Sequence, residues 1–263
     1  QEVKIANYPF VTIDPNVGVV AIKDERLDKV AAVLGSKQVF PAVLEFVDIA
    51  GLVRDAHQGA GLGNQFLAQI REVDAIIHLV RVFEDKEIIR FEAEINPVND
   101  FETVLSELKL KDEQSKEKEN LLSIKPQLVV LNGKSEEANE ELINKIKSHN
   151  YSYLALDLNV GLNEEDLKKI FQTFLEFLNL ITFFTANENE ARSWFIKKGM
   201  KAREAAGVIH TDFENKFIKA EVIDWQKLLE ANSWATAKQN GWLRLEGKDY
   251  EVQDGDVMIV KHG

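Results

Sequence analysis

Four apolar runs constrain the fold more than any other feature of this chain: Val43-Leu-Glu-Phe-Val-Asp48, Ala75-Ile-Ile-His-Leu-Val-Arg-Val-Phe83, Pro126-Gln-Leu-Val-Val-Leu-Asn132 and the weaker Ser152-Tyr-Leu-Ala-Leu-Asp157. Strands that are apolar throughout need cover on both faces. With helical stretches between them, they predict a doubly wound, mainly parallel sheet of the α/β class. Helical periodicity falls at about 24–34, 63–72, 137–148 and 163–178. In the last of these, Leu167, Ile170, Phe171, Phe174, Leu175 and Leu178 form one core-facing stripe. After residue 180 the pattern changes to short, nearly alternating runs such as Lys216–Ile223 and Val257–Lys261. Asn240-Gly241 and Asp254-Gly255 mark turns there. A second, smaller α+β domain is expected from this point, with a parallel sheet confined to the first.

Two short words flank the first strand. Asn7-Tyr-Pro-Phe-Val-Thr-Ile-Asp-Pro-Asn-Val-Gly18 precedes it, and Asp48-Ile-Ala-Gly51 starts at its end. A loop threonine followed by Asp-x-x-Gly at the tip of a buried strand looks like the two switches of a nucleotide-hydrolysing P-loop protein. The Thr12 hydroxyl can ligate Mg²⁺, Asp48 can hold that ion through water, and Gly51 offers an unobstructed N–H to a γ-phosphate. Such loops order with triphosphate and relax after hydrolysis.

The wording is narrower than the general class. Asn7-Tyr8-Pro9-Phe10, Thr12–Asn16, Asp48–Val53 running into Gly59–Phe66, and Ile70–Ala75 resemble the YchF, or Obg-like ATPase, family. A second cluster, Phe183–Ala186, Ala191–Trp194, Gly207–Phe213 and Val252–Val257, resembles the family's C-terminal TGS domain, a ubiquitin-like β-grasp module. The resemblance is close over residues 1–105 and 180–263 and loose between them. It implies a P-loop NTPase domain over 1–180, with a shortened helical insertion near 100–124, and a TGS domain over 181–263. It also implies a Mg²⁺-dependent switch that hydrolyses the β–γ bond of ATP, with GTP a weaker substrate. Its expected partner is the ribosome or another translation-linked RNA, reached through the TGS domain, in the cytoplasm and as a monomer.

A P-loop requires Gly-x-x-x-x-Gly-Lys-Ser/Thr, whose amides wrap the phosphates. Gly133-Lys134-Ser135 has the tail of that motif, but its first glycine would fall at Leu128, so it is no phosphate cradle. The cradle belongs upstream of the first switch, just ahead of which the sequence opens at Gln1. The expectation is that the cradle, and residues of the insertion near 110–116, are omitted from the sequence rather than lost.

Leu52 stands where ordinary GTPases place the glutamine that orients the attacking water. Leucine cannot hydrogen-bond water, so hydrolysis is slow or another group positions the nucleophile. His57 in the same loop is a weak candidate against an ordinary solvent-exposed histidine. Asn132, with Gly133, sits where the base-recognition asparagine belongs. Guanine readers carry Asp three positions on and the resembled family carries Glu, whereas this chain has Ser135, with Glu136 one place later. Backbone groups near Ala155 are candidates for the amino edge of adenine. His78 reads as a satisfied core histidine, and His210 carries no catalytic reading.

Composition limits the remaining options. The chain of 263 residues has 45% hydrophobic and 29% charged residues, enough for real cores. No apolar run approaches the roughly 20 residues that span a bilayer, so no membrane partner is expected. The absence of cysteine excludes disulfides and thiolate metal sites. The net charge of −12 argues against a uniformly basic nucleic-acid surface. Residues 181–263 nonetheless carry 12 Lys and Arg against 13 Asp and Glu, so almost all of the excess lies before them. Lys197, Lys198, Lys201 and Arg203 beside Trp194 and Phe195 are equally an RNA patch and a solvated helix end. Two alternatives stay open: a non-catalytic nucleotide-sensing module, and a GTP-specific GTPase.

Overall fold

The structure, a computed structural model, describes residues 16–48, 70–85, 96–114, 121–158, 160 and 163–263. In chain order they form β1 (Asn16–Ala21), α1 (Glu25–Leu34), β2 (Gln38–Phe40), β3 (Val43–Asp48), β4 (Ile76–Arg81), α2 (Pro97–Gln114), β5 (Gln127–Asn132), a 3₁₀ turn (Ser135–Glu137), α3 (Glu140–Ser148), β6 (Ser152–Leu156) and α4 (Glu164–Phe177). The remainder is β7 (Leu180–Ala186), β8 (Glu190–Lys197), α5 (Ala202–Ile209), α6 (Thr211–Asn215), β9 (Phe217–Asp224), α7 (Trp225–Ala231), α8 (Trp234–Gln239), β10 (Arg244–Glu246) and β11 (Asp256–His262). The chain divides into two compact units, residues 1–18 with 46–177, and residues 19–45 with 178–263.

The first unit is built on a parallel sheet in the order β4-β5-β6. Its central strand β5 is buried over Gln127–Leu131, as a strand covered on both faces must be. Phe101 and Leu105 of α2 and Leu142 and Ile146 of α3 close over Val80, Val129 and Leu131. Helix α3 starts where the Asn139 side chain accepts the Leu142 amide at 2.8 Å. Glu140 and Glu141 open it and Lys145 and Lys147 end it, matching the helix dipole. Helix α2 is 18 residues long, and the chain returns from it with Asp112 accepting the amides of Leu122 and Ser123, both at 2.8 Å.

The second unit carries a six-stranded sheet in the order β10-β9-β11-β7-β8-β2. The hairpin β7–β8 is antiparallel, β11 runs antiparallel to β9 but parallel to β7, and β10 runs antiparallel to β9. The last strand is thus inserted beside the first, which is the β-grasp arrangement. Period-two alternation gives the sheet two apolar faces. Phe183 packs with Ala202 and Ala205 of α5 and with Val222 and Met258. Phe184, next in sequence, packs on the other side with α1, α7 and α8 through Leu27, Leu228 and Ala237.

Two expectations change here. Residues 19–45 do not belong to the nucleotide unit. Leu27, Val30 and Ala31 of α1 are buried in the β-grasp core, and β2 extends that sheet in parallel with β8. Parallel pairing is therefore not confined to the first 180 residues. A helical stripe reports that a face is buried and says nothing about which sheet buries it. The second change is His78, which is buried and stacked on Phe101 at 5.2 Å, yet among the described residues its Nδ1 has no hydrogen-bond partner.

Candidate nucleotide-binding site

In open parallel sheets the ligand crevice lies beyond the carboxyl ends of the strands, and three described loops meet there. Val82, just past β4, donates its amide to the Asn132 carbonyl at 3.0 Å. The Asn132 side-chain Oδ1 accepts from the amide of Leu158 beyond β6 at 3.1 Å. Gly133 donates its amide to the Leu156 carbonyl at 2.9 Å. One asparagine and its neighbour thus tie the β4, β5 and β6 loops into a shelf.

The shelf is tight at Gly133. Its φ is +143°, a conformation that side chains resist, and a Cβ there would lie 2.6 Å from Glu137 Oε2 and 2.7 Å from Val82 Cγ2. Glu137 itself folds back: its Oε2 accepts the Lys134 amide at 2.7 Å, and its own amide donates to the Lys134 carbonyl at 3.0 Å. This carboxylate closes the turn and was not anticipated, although its position three residues after Lys134 has capping-box spacing. Ser135 and Glu136 lie on the exposed side of the turn. Ala155 is mid-strand in β6, with its side chain against the core formed by Val129 and Leu131.

Asp48 is the last residue of β3. Thr12, Gly51, Leu52 and His57 lie outside the described residues. Among the described residues, no group of three His, Asp or Glu side chains converges as a metal site. A cavity of about 420 Å³ lined by Arg71, Asp74, Ile124 and Lys125 lies at the amino ends of β4 and β5, the wrong end of the sheet for this chemistry. Lys125 there donates Nζ to the Val73 carbonyl at 2.6 Å.

The basic cluster of the C-terminal unit is partly spent within the fold. Lys201 pairs with Glu251 at 3.6 Å, and Arg203 Nε donates to the Glu214 carbonyl at 3.2 Å. The Trp194 indole N–H donates to Thr185 Oγ1 at 2.9 Å, with the ring stacked on Phe183. Lys197 and Lys198 remain exposed. His210 is exposed and accepts the Asp212 amide through Nδ1 at the start of α6.

Fold and shelf together define a nucleotide-binding domain of the P-loop GTPase class, followed by a β-grasp unit. The family model described as a 50S ribosome-binding GTPase matches residues 1–133. The model of the YchF GTPase C-terminal domain, described as a protein of unknown function (DUF933), matches residues 180–263. The chain is 38% identical to the ribosome-binding ATPase YchF of Mycoplasma genitalium, over 99% of this chain and 92% of that one. It is 35% identical to the Bacillus subtilis protein of the same name, over 96% and 90%. The solved YchF GTPase of Schizosaccharomyces pombe superposes with a TM-score of 0.73 at 30% identity, over 97% of this chain and 90% of that one. The chain belongs to the YchF family. The alignment to the M. genitalium relative runs over 340 positions, more than the 263 residues here, so that relative carries internal segments with no counterpart in this chain.

Proposed function

We propose that this protein is a Mg²⁺-dependent nucleoside triphosphatase switch that acts at the ribosome and accepts ATP at least as well as GTP. The names of its relatives divide between ATPase and GTPase, so the base is the property to argue. The observation that carries the reading is the turn after β5. A guanine pocket needs a carboxylate facing two donors on the base, and a site built that way rejects analogues by roughly 10⁴-fold. Three residues past Asn132 this chain has Ser135, a single uncharged hydroxyl, and the nearby Glu137 carboxylate is engaged by the Lys134 amide.

The donors proposed for the metal fit Mg²⁺: Thr12 and Asp48 offer hard oxygens, and this ion takes its remaining ligands from phosphate and water. When bound, it neutralises charge on the β- and γ-phosphates. Thr12 orders its loop against the triphosphate, Gly51 donates to the γ-phosphate, and Asn132 holds the base shelf through Leu158. Leu52 leaves the attacking water to another group, His57 or a partner. Exposed Lys197 and Lys198 are the residues we assign to RNA phosphate. Titrating ATP and GTP against the full-length protein tests the reading. Comparable affinities are expected, and a GTP preference of a hundredfold or more, about 2.7 kcal/mol, overturns it.

A further inference from the structure

The stretch from Gly133 to Asn139, between β5 and α3, is pinned at both of its ends. Upstream, Gly133 donates its amide to the Leu156 carbonyl, and the Asn132 side chain accepts the Leu158 amide. Downstream, Ala138 packs against the core around Leu142 and Ile146, and Asn139 caps α3 through the Leu142 amide. Between these anchors Lys134, Ser135 and Glu136 are all exposed.

The exposed middle takes its shape from Glu137. Oε2 of this residue accepts the Lys134 amide at 2.7 Å, and its own amide donates to the Lys134 carbonyl at 3.0 Å. A carboxylate on a backbone N–H makes a charge-assisted bond, about twice as strong as a neutral one. The same oxygen lies over the Cα of Gly133, where a Cβ would stand 2.6 Å from it. Glycine and carboxylate are therefore matched: the first leaves the room that the second fills. Glu137 does this from the surface, so replacing it leaves the core untouched.

We propose, resting on the reading above of the Asn132 turn as the base side of the site, that Glu137 is a positioning residue for the nucleotide base. It holds Lys134–Glu136 in the shape that the base meets and does not read the base itself, because its carboxylate is engaged by the Lys134 amide. A loop shaped in advance lowers the ordering cost of binding. Without the carboxylate, ATP and GTP must each order the loop to the same extent. A ligand that has phosphates and no base is indifferent to it.

Isothermal titration of the full-length protein with Mg²⁺ tests this, using non-hydrolysable analogues of ATP and GTP and inorganic tripolyphosphate. The proteins are wild type, Glu137→Ala, Glu137→Gln and Glu140→Gln, each checked for folding by circular dichroism. Glu137→Ala is expected to weaken both nucleotide analogues about fivefold, with their ratio held and tripolyphosphate unchanged. Glu137→Gln keeps a side-chain oxygen for the Lys134 amide and is expected to recover most of the loss. Glu140→Gln removes an exposed carboxylate at the start of α3 and is expected to bind all three ligands as wild type does. Unaltered nucleotide affinity in Glu137→Ala overturns the inference. So does an equal loss for tripolyphosphate, or an equal loss in Glu140→Gln, since the effect is then general. A changed GTP-to-ATP ratio in Glu137→Ala means that the carboxylate reads the base, and no recovery in Glu137→Gln means that its charge rather than its hydrogen bond acts; either result ends the positioning role. Wild type that binds tripolyphosphate as tightly as the ATP analogue removes the base-side reading itself, and the inference with it.

Discussion

In the β-grasp unit the buried carboxylate of Asp256 is met by Tyr250 Oη at 2.7 Å, the Gln253 amide at 2.9 Å and Arg244 Nη2 at 3.1 Å. In the nucleotide unit the buried His78 Nδ1 and both polar atoms of the Gln127 side chain meet no partner among the described residues. Trp234 Nε1 is the exception in the β-grasp unit. A buried polar atom left unpaired costs about 1–3 kcal/mol, and among the described residues polar pairing is more complete around Asp256 than around His78 and Gln127. Unmet polar groups go with low local stability, so the sheet of the nucleotide unit is expected to open more readily than that of the β-grasp unit.

Core deletions are the largest lever on this contrast. Phe101 and Phe184 are both fully buried, one in each unit. Phe101→Ala and Phe184→Ala are each expected to cost about 3–5 kcal/mol. Hydrogen exchange resolves where the cost falls: Phe101→Ala should speed exchange in β5 and spare β9, and Phe184→Ala should do the reverse while also exposing α1. Acceleration of both strands by either variant would merge the two units into one.

Acid is the next lever, and it acts on the nucleotide unit. Burial lowers the His78 pKa from 6.5 to about 4. The fold prefers neutral imidazole, so this contribution is complete above pH 6.5 and is lost as pH falls toward 4. The loss reaches about 3 kcal/mol. Exchange from β4 and β5 should accelerate over that window in wild type and not in His78→Leu. A wild-type profile identical to that of the variant would break the contrast on the acid side.

The base shelf gives a smaller effect. Ser135→Asp supplies the missing carboxylate and should move the GTP-to-ATP affinity ratio about tenfold toward GTP, roughly 1.4 kcal/mol. Isothermal titration with both nucleotides measures it, and an unmoved ratio means that another group reads the base.

Smallest is the alkaline side, which belongs to the β-grasp unit. Burial first, then the hydrogen bond to Asp256 and its charge, push the Tyr250 phenol up from 10 to about 12. The fold prefers the neutral phenol, so stability is intact below pH 10 and falls between pH 10 and 12. Tyr250→Phe should lower stability at neutral pH by about 1 kcal/mol, the net worth of one hydrogen bond. It should also flatten the alkaline decline seen by thermal denaturation.

How much of this was legible in the sequence depended on whether the signal was local. The runs at 126–132 and 152–157 became β5 and β6 with ends shifted by a residue, because apolar strands of a parallel sheet announce themselves. Helices α1, α3 and α4 likewise fell within the expected ranges, although of the stripe in α4 Ile170 and Phe174 are buried and Leu167 is exposed. The destination of residues 19–45 was not legible. Gln38–Phe40 is three residues of edge strand, and the stripe of α1 fits any apolar sheet equally well. At the site, Asn132 could be singled out by its place at the end of a strand. Glu137 could not, because its role depends on a backbone turn made possible by Gly133 in a conformation that no residue count reveals.

The excursion of residues 19–45 also bears on heredity. Recombination and gene fission move contiguous stretches of chain, and a stretch beginning at Leu178 would carry away Phe184, Ala186, Ala191 and Val257 without the helix that covers them. It would also bare the edge of β8 along Glu190–Arg192, where β2 now lies. A transplantable β-grasp unit must therefore bring residues 19–45 with it, and that stretch is bracketed by Thr12 on one side and Asp48 on the other. Proposed switch residues and the β-grasp unit are thus interleaved along the gene, and a contiguous cut cannot separate the two units cleanly.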